Sequence, residues 1–354
     1  MVGRLLLFAA IVATACGPAA GPDLSSASRF PATSAPSTRT TAPTSTTSAM
    51  AGATPDVAAV KLVEFPVGRG QGPHDVAPAT DGGVWYTAQR TGELGYLDPK
   101  TGATRMVKLG SGSAPHGVIV GPDGSPWITD GGLNAIVRVD ARTNEVTRYP
   151  LTGPNVNLNT ATFDKNGTLW FTGQSGYYGY LKEGRVTVLS ATGGPGPYGI
   201  STCPNGNVYY ASLAASQVGM INLASTTMAT ADPPTKGQGA RRVWCDSRSN
   251  VWISEWNAGQ VAQFQTEGGY TSWREWKLPG ANPMAYAVYV DDQDIVWLTD
   301  FGANAIVRFD PRTETFTSYP HAQPNAAVRQ LLGRPGEVWG AISGQDKLLL
   351  IRTR

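Results

Sequence analysis

The sequence predicts an all-β protein, a seven-bladed β-propeller closed by a strand from its own N-terminal side, on three observations. Seven aromatic residues (Trp85, Trp127, Trp170, Tyr209, Trp252, Trp297 and Trp339) open the same strand-like text: VWYT, PWIT, LWFT, VYYA, VWIS, VWLT and VWGA. They stand 42, 43, 39, 43, 45 and 42 residues apart, a period that belongs to propeller blades, one blade per repeat. The last repeat is one strand short, and a spare strand-like segment lies at the other end of the chain.

Residues 1–15 read as a signal peptide, with Arg4 before an apolar run over 5–13 that is too short to span a bilayer. The run ends in Ala13-Thr14-Ala15-Cys16, which resembles a bacterial lipobox and marks Cys16 as a lipidated mature N-terminus. The alternative is an ordinary cleaved secretory signal in which Cys16 is incidental. Residues 16–57 follow as a tether. From Gly17 to Val57, 30 of 41 residues are Ala, Pro, Ser or Thr, too little apolar surface to offset the entropy of ordering. Such a chain spans on the order of 35 Å. The expected location is the extracytoplasmic side of a bacterial cell membrane, reached through the N-terminal lipid only.

The propeller is expected over 58–354. Blade 2 shows the repeat best: an inner strand over 116–120, a Gly-Pro-Asp-Gly turn at 121–124, the Trp127 strand, a third strand over 134–140, a turn at 142–144 and an outer strand over 145–149. These runs are short, alternating or β-branched, and punctuated by Gly, Asp, Asn and Pro, the pattern of hairpins. After Trp339 only 347–352 remains for a third strand, and 60–65 resembles the outer strands at 105–109 and 315–319. Borrowing it closes the ring and removes an open sheet edge.

Charged residues make up 15% of the chain and the net charge is +2, which gives no footing for nucleic acid or an anionic membrane surface. A monomer is expected. Cys203 and Cys245 lie six and seven residues before their anchors, in inner strands of adjacent blades. In an oxidising compartment a disulfide between them is one reading and two buried thiols the other.

The inner strands begin at one face, so the residue eleven before each anchor should line the axial funnel. That set is His74, His116, Asn159, Tyr198, Arg241 and Tyr286, with Arg329 in blade 7 where the turn is one residue shorter. The residue three after each anchor should join the same rim, adding Asp130, Glu255 and Asp300. Each residue alone is explained as lining of a wet funnel; together they make this face the ligand site. His321, between blades 6 and 7, is expected on the surface, and Asn166-Gly-Thr168 reads first as a turn and second as a glycosylation sequon.

The strings Pro73-His74-Asp75, Pro115-His116-Gly117, Trp127-Ile-Thr-Asp130, Trp252-Ile-Ser-Glu255 and Trp297-Leu-Thr-Asp300 resemble the repeats of the streptogramin B lyase (virginiamycin B lyase) family. The resemblance implies a magnesium-dependent eliminase that opens a cyclic depsipeptide at its ester bond. It implies a His base in a Glu-Pro-His string on the last blade, a metal-binding Glu after that blade's Trp strand, and a substrate-contacting His on the blade before. Here those places hold Val328-Arg329, Ile342-Ser343 and Ala285-Tyr286. An arginine does not deprotonate in proteins and so cannot serve as the base.

Two function classes follow. The first is a ligand-binding or scaffold module for a small-molecule, peptide or cell-wall ligand, with two guanidiniums and two phenols suited to an anionic or hydrogen-bonding partner. The second is a lyase or hydrolase on a rotated site, with His74 and His116 as candidate catalytic residues, Asp75 and Asp130 as candidate metal carboxylates, and Mg2+ as cofactor only in that case. A docking platform built on the outer blade edges is a third reading.

Overall fold

The computed structural model describes residues 60–191, 194, 196–267 and 270–354. The expected signal segment, Cys16 and the tether lie outside the described residues. Among the described residues there is no helix. Twenty-eight strands form seven four-stranded antiparallel sheets. Six blades are sequential; the seventh joins Val328–Arg334, Glu337–Ile342 and Lys347–Arg352 to the N-terminal strand Lys61–Pro66. The closing pair runs in register from Lys61 opposite Arg352 to Pro66 opposite Lys347. The closing strand sits one residue later than expected and makes the expected connection.

Burial grades outward from the axis. Inner and second strands such as Pro73–Pro78 and Val84–Ala88 are buried almost throughout, whereas outer strands such as Thr104–Lys108 are exposed or half-buried. Each of the seven interfaces between neighbouring blades holds one apolar cluster, so the core is a ring of seven wedges around the axis.

Side-chain volume is balanced inside each blade. The residue after the anchor faces a third-strand residue of complementary size: Tyr86 opposite Gly95, Phe171 opposite Gly179, Tyr210 opposite Gly219, but Ile128 opposite Val137 and Leu298 opposite Val307. A Cβ on Gly95 would lie 2.1 Å from the Tyr86 ring, so the bulky ring requires glycine there. Blade 7 reverses the order, with Gly340 opposite Leu349. The anchor indoles of Trp127, Trp170, Trp252 and Trp297 are tied to the turn before them. Trp170 donates to Asp164 Oδ2 at 3.0 Å, and Asp164 Oδ1 accepts the turn amides of Asn166 and Thr168. Trp297 and Asp291 repeat the arrangement at 2.8 Å. Asn166 therefore sits in a turn. Cys203 and Cys245 are disulfide-bonded, stapling the inner strands of blades 4 and 5.

Candidate functional site

Every inner strand carries a register shift at its first residues, between Pro73 and Val76 in blade 1 and at the matching place in the other six. Such bulges re-aim side chains, and here they set two successive residues at the axis instead of one. The rivet holding the bulge is the hydroxyl two residues after the anchor. Thr87 Oγ1 accepts from Asp75 N at 2.9 Å and donates to the His116 carbonyl at 2.9 Å in the next blade. Thr129 does the same for Gly117 N and Asn159 O, and Ser254 for Arg242 N and Tyr286 O. The recurring Trp-x-Thr text is thus an inter-blade clasp that fixes the rim backbone.

The residues expected at the funnel meet there. The rings of His74 and His116 lie 3.9 Å apart, and Asn159 Nδ2 is 3.3 Å from His116 Nε2. The phenols of Tyr198 and Tyr286 share a hydrogen bond of 2.8 Å. Arg241 donates to the Tyr198 hydroxyl at 2.8 Å and lies 3.8 Å over the Tyr286 ring, with Trp256 4.8 Å away. Arg329 is 6.0 Å from the same Tyr286 ring and donates from Nε to Ser343 Oγ at 3.2 Å.

The second residue of each bulge supplies the groups that reading one rim residue per blade missed. Arg242 reaches across the axis from blade 5, donating to Asp75 Oδ1 of blade 1 at 3.2 Å and to Thr160 Oγ1 of blade 3 at 2.6 Å. Gln330 of blade 7 accepts from Val76 N at 2.9 Å. Where no polar group stands at this position the residue is small, and a Cβ on Gly199 would come within 2.6 Å of Arg242 Cα. Arg242 therefore stands across the channel, beside a cavity of about 20 Å³ that it lines together with Thr160, Gly199 and Gln330 among others.

The carboxylates divide differently from the expectation. Asp75 belongs to the axial cluster: its Oδ1 is 2.8 Å from His74 Nδ1, and the ligand atoms of His74, Asp75 and His116 all lie within 4.8 Å of one another. Asp130, expected to supply a second metal carboxylate, does not join them. The bulge pairs it with Pro115 rather than His116, and its oxygens accept from Ser113 Oγ and the amides of Ala114 and Leu133. Asp300 likewise folds onto the amides of Met284, Gly302 and Ala303, and Glu255 onto Gln260. His321, expected on the surface, is corrected too. Its side chain is 3% exposed, because the closing strand lays Glu64 beside it with Oε1 3.8 Å from Nδ1.

Burial, followed by the fields of Arg242, Arg329 and Arg241, holds His74 well below its ordinary pKa; burial and then His74 do the same to His116. Both imidazoles are neutral at pH 7. Burial pushes the Asp75 carboxyl up against the pull of Arg242. Burial acts upward on Tyr286 as well, yet Arg241 and Arg242 outweigh it and hold that phenol below its ordinary value. Tyr198, whose largest influence is also burial, is pushed up to about 12. Asp75 Oδ2, His116 Nδ1 and the Nε atoms of Arg241 and Arg242 are buried without a hydrogen-bond partner.

Comparisons with known proteins agree with the propeller fold. The virginiamycin B lyase family model matches residues 60–349. A streptogramin B lyase structure is similar at TM-score 0.76 and 22% identity, over 83% of this chain and 97% of that one. A catalytically inactive virginiamycin B lyase from Staphylococcus aureus with quinupristin is similar at TM-score 0.77 and 20% identity, over 83% and 99%. The extracellular domain of a hybrid two component system from B. thetaiotaomicron is similar at TM-score 0.66 and 16% identity, over 83% of this chain and 43% of that one. No curated protein matches in sequence. The chain belongs to the virginiamycin B lyase family.

Proposed function

We propose that this protein is an extracytoplasmic binding module, tethered to the membrane through Cys16, whose axial funnel takes an anionic ligand such as a carboxylate-bearing cell-wall fragment. The observation that carries the reading is the charge balance at the axis. Arg241, Arg242 and Arg329 converge on Tyr286 and its neighbours, and the one carboxylate among them, Asp75, is already held by Arg242. Arg241 and Arg329 are half-buried and so still reach solvent. The field that holds the Tyr286 phenol below its ordinary value would equally hold a carboxylate or phosphate. A Cys203–Cys245 disulfide is consistent with an oxidising compartment.

A lyase on the rotated site is the second reading, and the cluster of His74, Asp75 and His116 favours it. Magnesium does not fit these residues. It prefers hard oxygen ligands in octahedral array, whereas this set offers two imidazoles and one carboxylate, and a guanidinium already holds that carboxylate. No step through the metal follows.

One pair of measurements separates the readings. Calorimetric titration of the purified protein with N-acetylmuramyl dipeptide should give saturable binding. Loss of one charge-assisted contact in Arg329→Ala should weaken it by about 10- to 100-fold. In parallel, the protein is incubated with streptogramin B and magnesium and ring opening is followed by mass spectrometry. Turnover that disappears in His116→Ala would overturn the binding reading.

A further inference from the structure

We propose that the cleft between blades 6 and 7 is a second ligand site that takes a small primary ammonium group. It is a cavity of about 150 Å³ lined by Asp300, Phe301, Asn304, His321 and Asn325 among others. Two departures from the repeat, both in blade 6, build it.

The first concerns the loop carboxylate. Asp130 in blade 2 and Asp300 in blade 6 occupy the same place, each taking loop amides on Oδ1. In blade 2 the other oxygen is satisfied by Ser113 Oγ at 2.5 Å. The residue matching Ser113 in blade 6 is Pro283, which has no donor to offer. Asp300 is 1% exposed, and its Oδ2 has no partner.

The second departure is at the exit of the outer strand. There the amides of Leu109, Leu151 and Leu278 donate to the carbonyls of Gly92, Asn134 and Gly259, and the leucine side chains are buried. In blade 6 the amide of His321 makes the matching bond to Asn304 O. A buried imidazole thus stands where those blades bury leucine, and its Nε2 also lacks a partner. A buried polar atom without a partner is destabilising, and the two residues that carry such atoms both line this cavity.

Both groups ask for a donor. Glu64 lies beside Nδ1 and favours the proton there, leaving Nε2 as an acceptor. Asp300 Oδ2 accepts as well. Phe301, stacked on Tyr286 at 4.6 Å, is a third wall of the cavity and an aromatic ring of the kind that attracts cations. An alkylammonium brings three N–H donors and one positive charge, which match this set. A divalent metal would find one carboxylate and one imidazole where it needs four or more ligands, and of the two amides in the lining Asn304 is already bonded to Ala326 N and Gln323 O.

The test is ligand-observed NMR on the purified protein with ethylammonium chloride, accompanied by the ring-nitrogen shifts of the three histidines. Saturable transfer to ethylammonium with a shift confined to His321 is expected. Tetramethylammonium, which has no N–H, should give neither effect. Asp300→Asn keeps an oxygen for the loop amides and should weaken binding by about tenfold or more. His321→Leu restores the residue of the other blades and should abolish binding while the thermal midpoint holds or rises. The proposal is overturned if ethylammonium gives no saturable transfer, if tetramethylammonium binds equally, if zinc alone shifts His321, or if both variants bind as wild type does.

Discussion

Replacing Glu255 by glutamine should raise stability above neutral pH and leave it almost unchanged in acid. Glu255 ends the second strand of blade 5 and is fully buried. Gln260 donates to its Oε2 at 2.6 Å, while Oε1 has no partner. Burial pushes its carboxyl from an ordinary 4.5 up to about 8. The folded state therefore holds this proton more tightly than the unfolded chain. Its contribution is fully present below pH 4.5 and is lost as pH rises through about 8. That interval corresponds to about 5 kcal/mol. For a fold of roughly 290 residues, with about 2.1 cal/mol/K of unfolding entropy per residue, this is about 8 °C in midpoint. His74, His116 and His321 act in the opposite sense: their folded pKa values are depressed, so their contribution is present above 6.5 and lost as pH falls below it. The informative quantity is hence the difference between Glu255→Gln and wild type in thermal and urea unfolding from pH 4 to 9, in which the imidazoles cancel. That difference should climb from near zero toward its full value across pH 5–8. A flat difference would refute a buried, protonated Glu255.

Two further outcomes are expected. A fragment beginning at Val67 lacks the strand Lys61–Pro66 and with it the packing of Leu62, Val63 and Phe65; relative to one beginning at residue 58 it should lose on the order of 5 kcal/mol in urea unfolding, and equal midpoints would mean the ring closes another way. Cys16→Ser should abolish lipid labelling and move the protein from the membrane fraction to the medium, and a wild-type N-terminus other than Cys16 would refute the tether.

The ring was legible because its signal is local and repeated. An aromatic anchor, a turn and a β-branched strand recur seven times, and the missing strand can be counted. The rim was legible for the same reason: His74, His116 and Tyr286 occupy one repeat position, and symmetry gathers them at the axis. The bulge was not legible. It hides in the backbone hydrogen bonds of Thr87 and its equivalents, and it enlarged the axial set by adding Arg242 and Gln330 while turning Asp130 and Asp300 away. Arg242 meets its partners 167 and 82 residues away in sequence, across the channel, where no spacing rule along one strand reaches. His321 was misplaced because Glu64, which lies beside it, belongs to the closing strand, the one element out of chain order.

Ring closure and the axial site are joined through one hydroxyl. In blades 1, 2, 3 and 5 the clasp donates to the carbonyl of the next blade's rim residue: His116, Asn159, Tyr198 and Tyr286. At the seam between blades 7 and 1 the clasp has moved. The matching position is Ala341, and Ser343 instead donates to the carbonyl of Pro73, one residue before His74, at 2.5 Å. The same Ser343 oxygen accepts from Arg329 Nε. Arg329 thus rests on the bond that draws blade 1 against blade 7. A guanidinium held this way surrenders little freedom when it meets an anion, since its stem is fixed by a contact the fold already requires. The resemblance implies a base on this blade, and here the position carries a permanently charged group braced by the seam. Under the binding function proposed above, this arrangement would favour retention of an anion over removal of a proton.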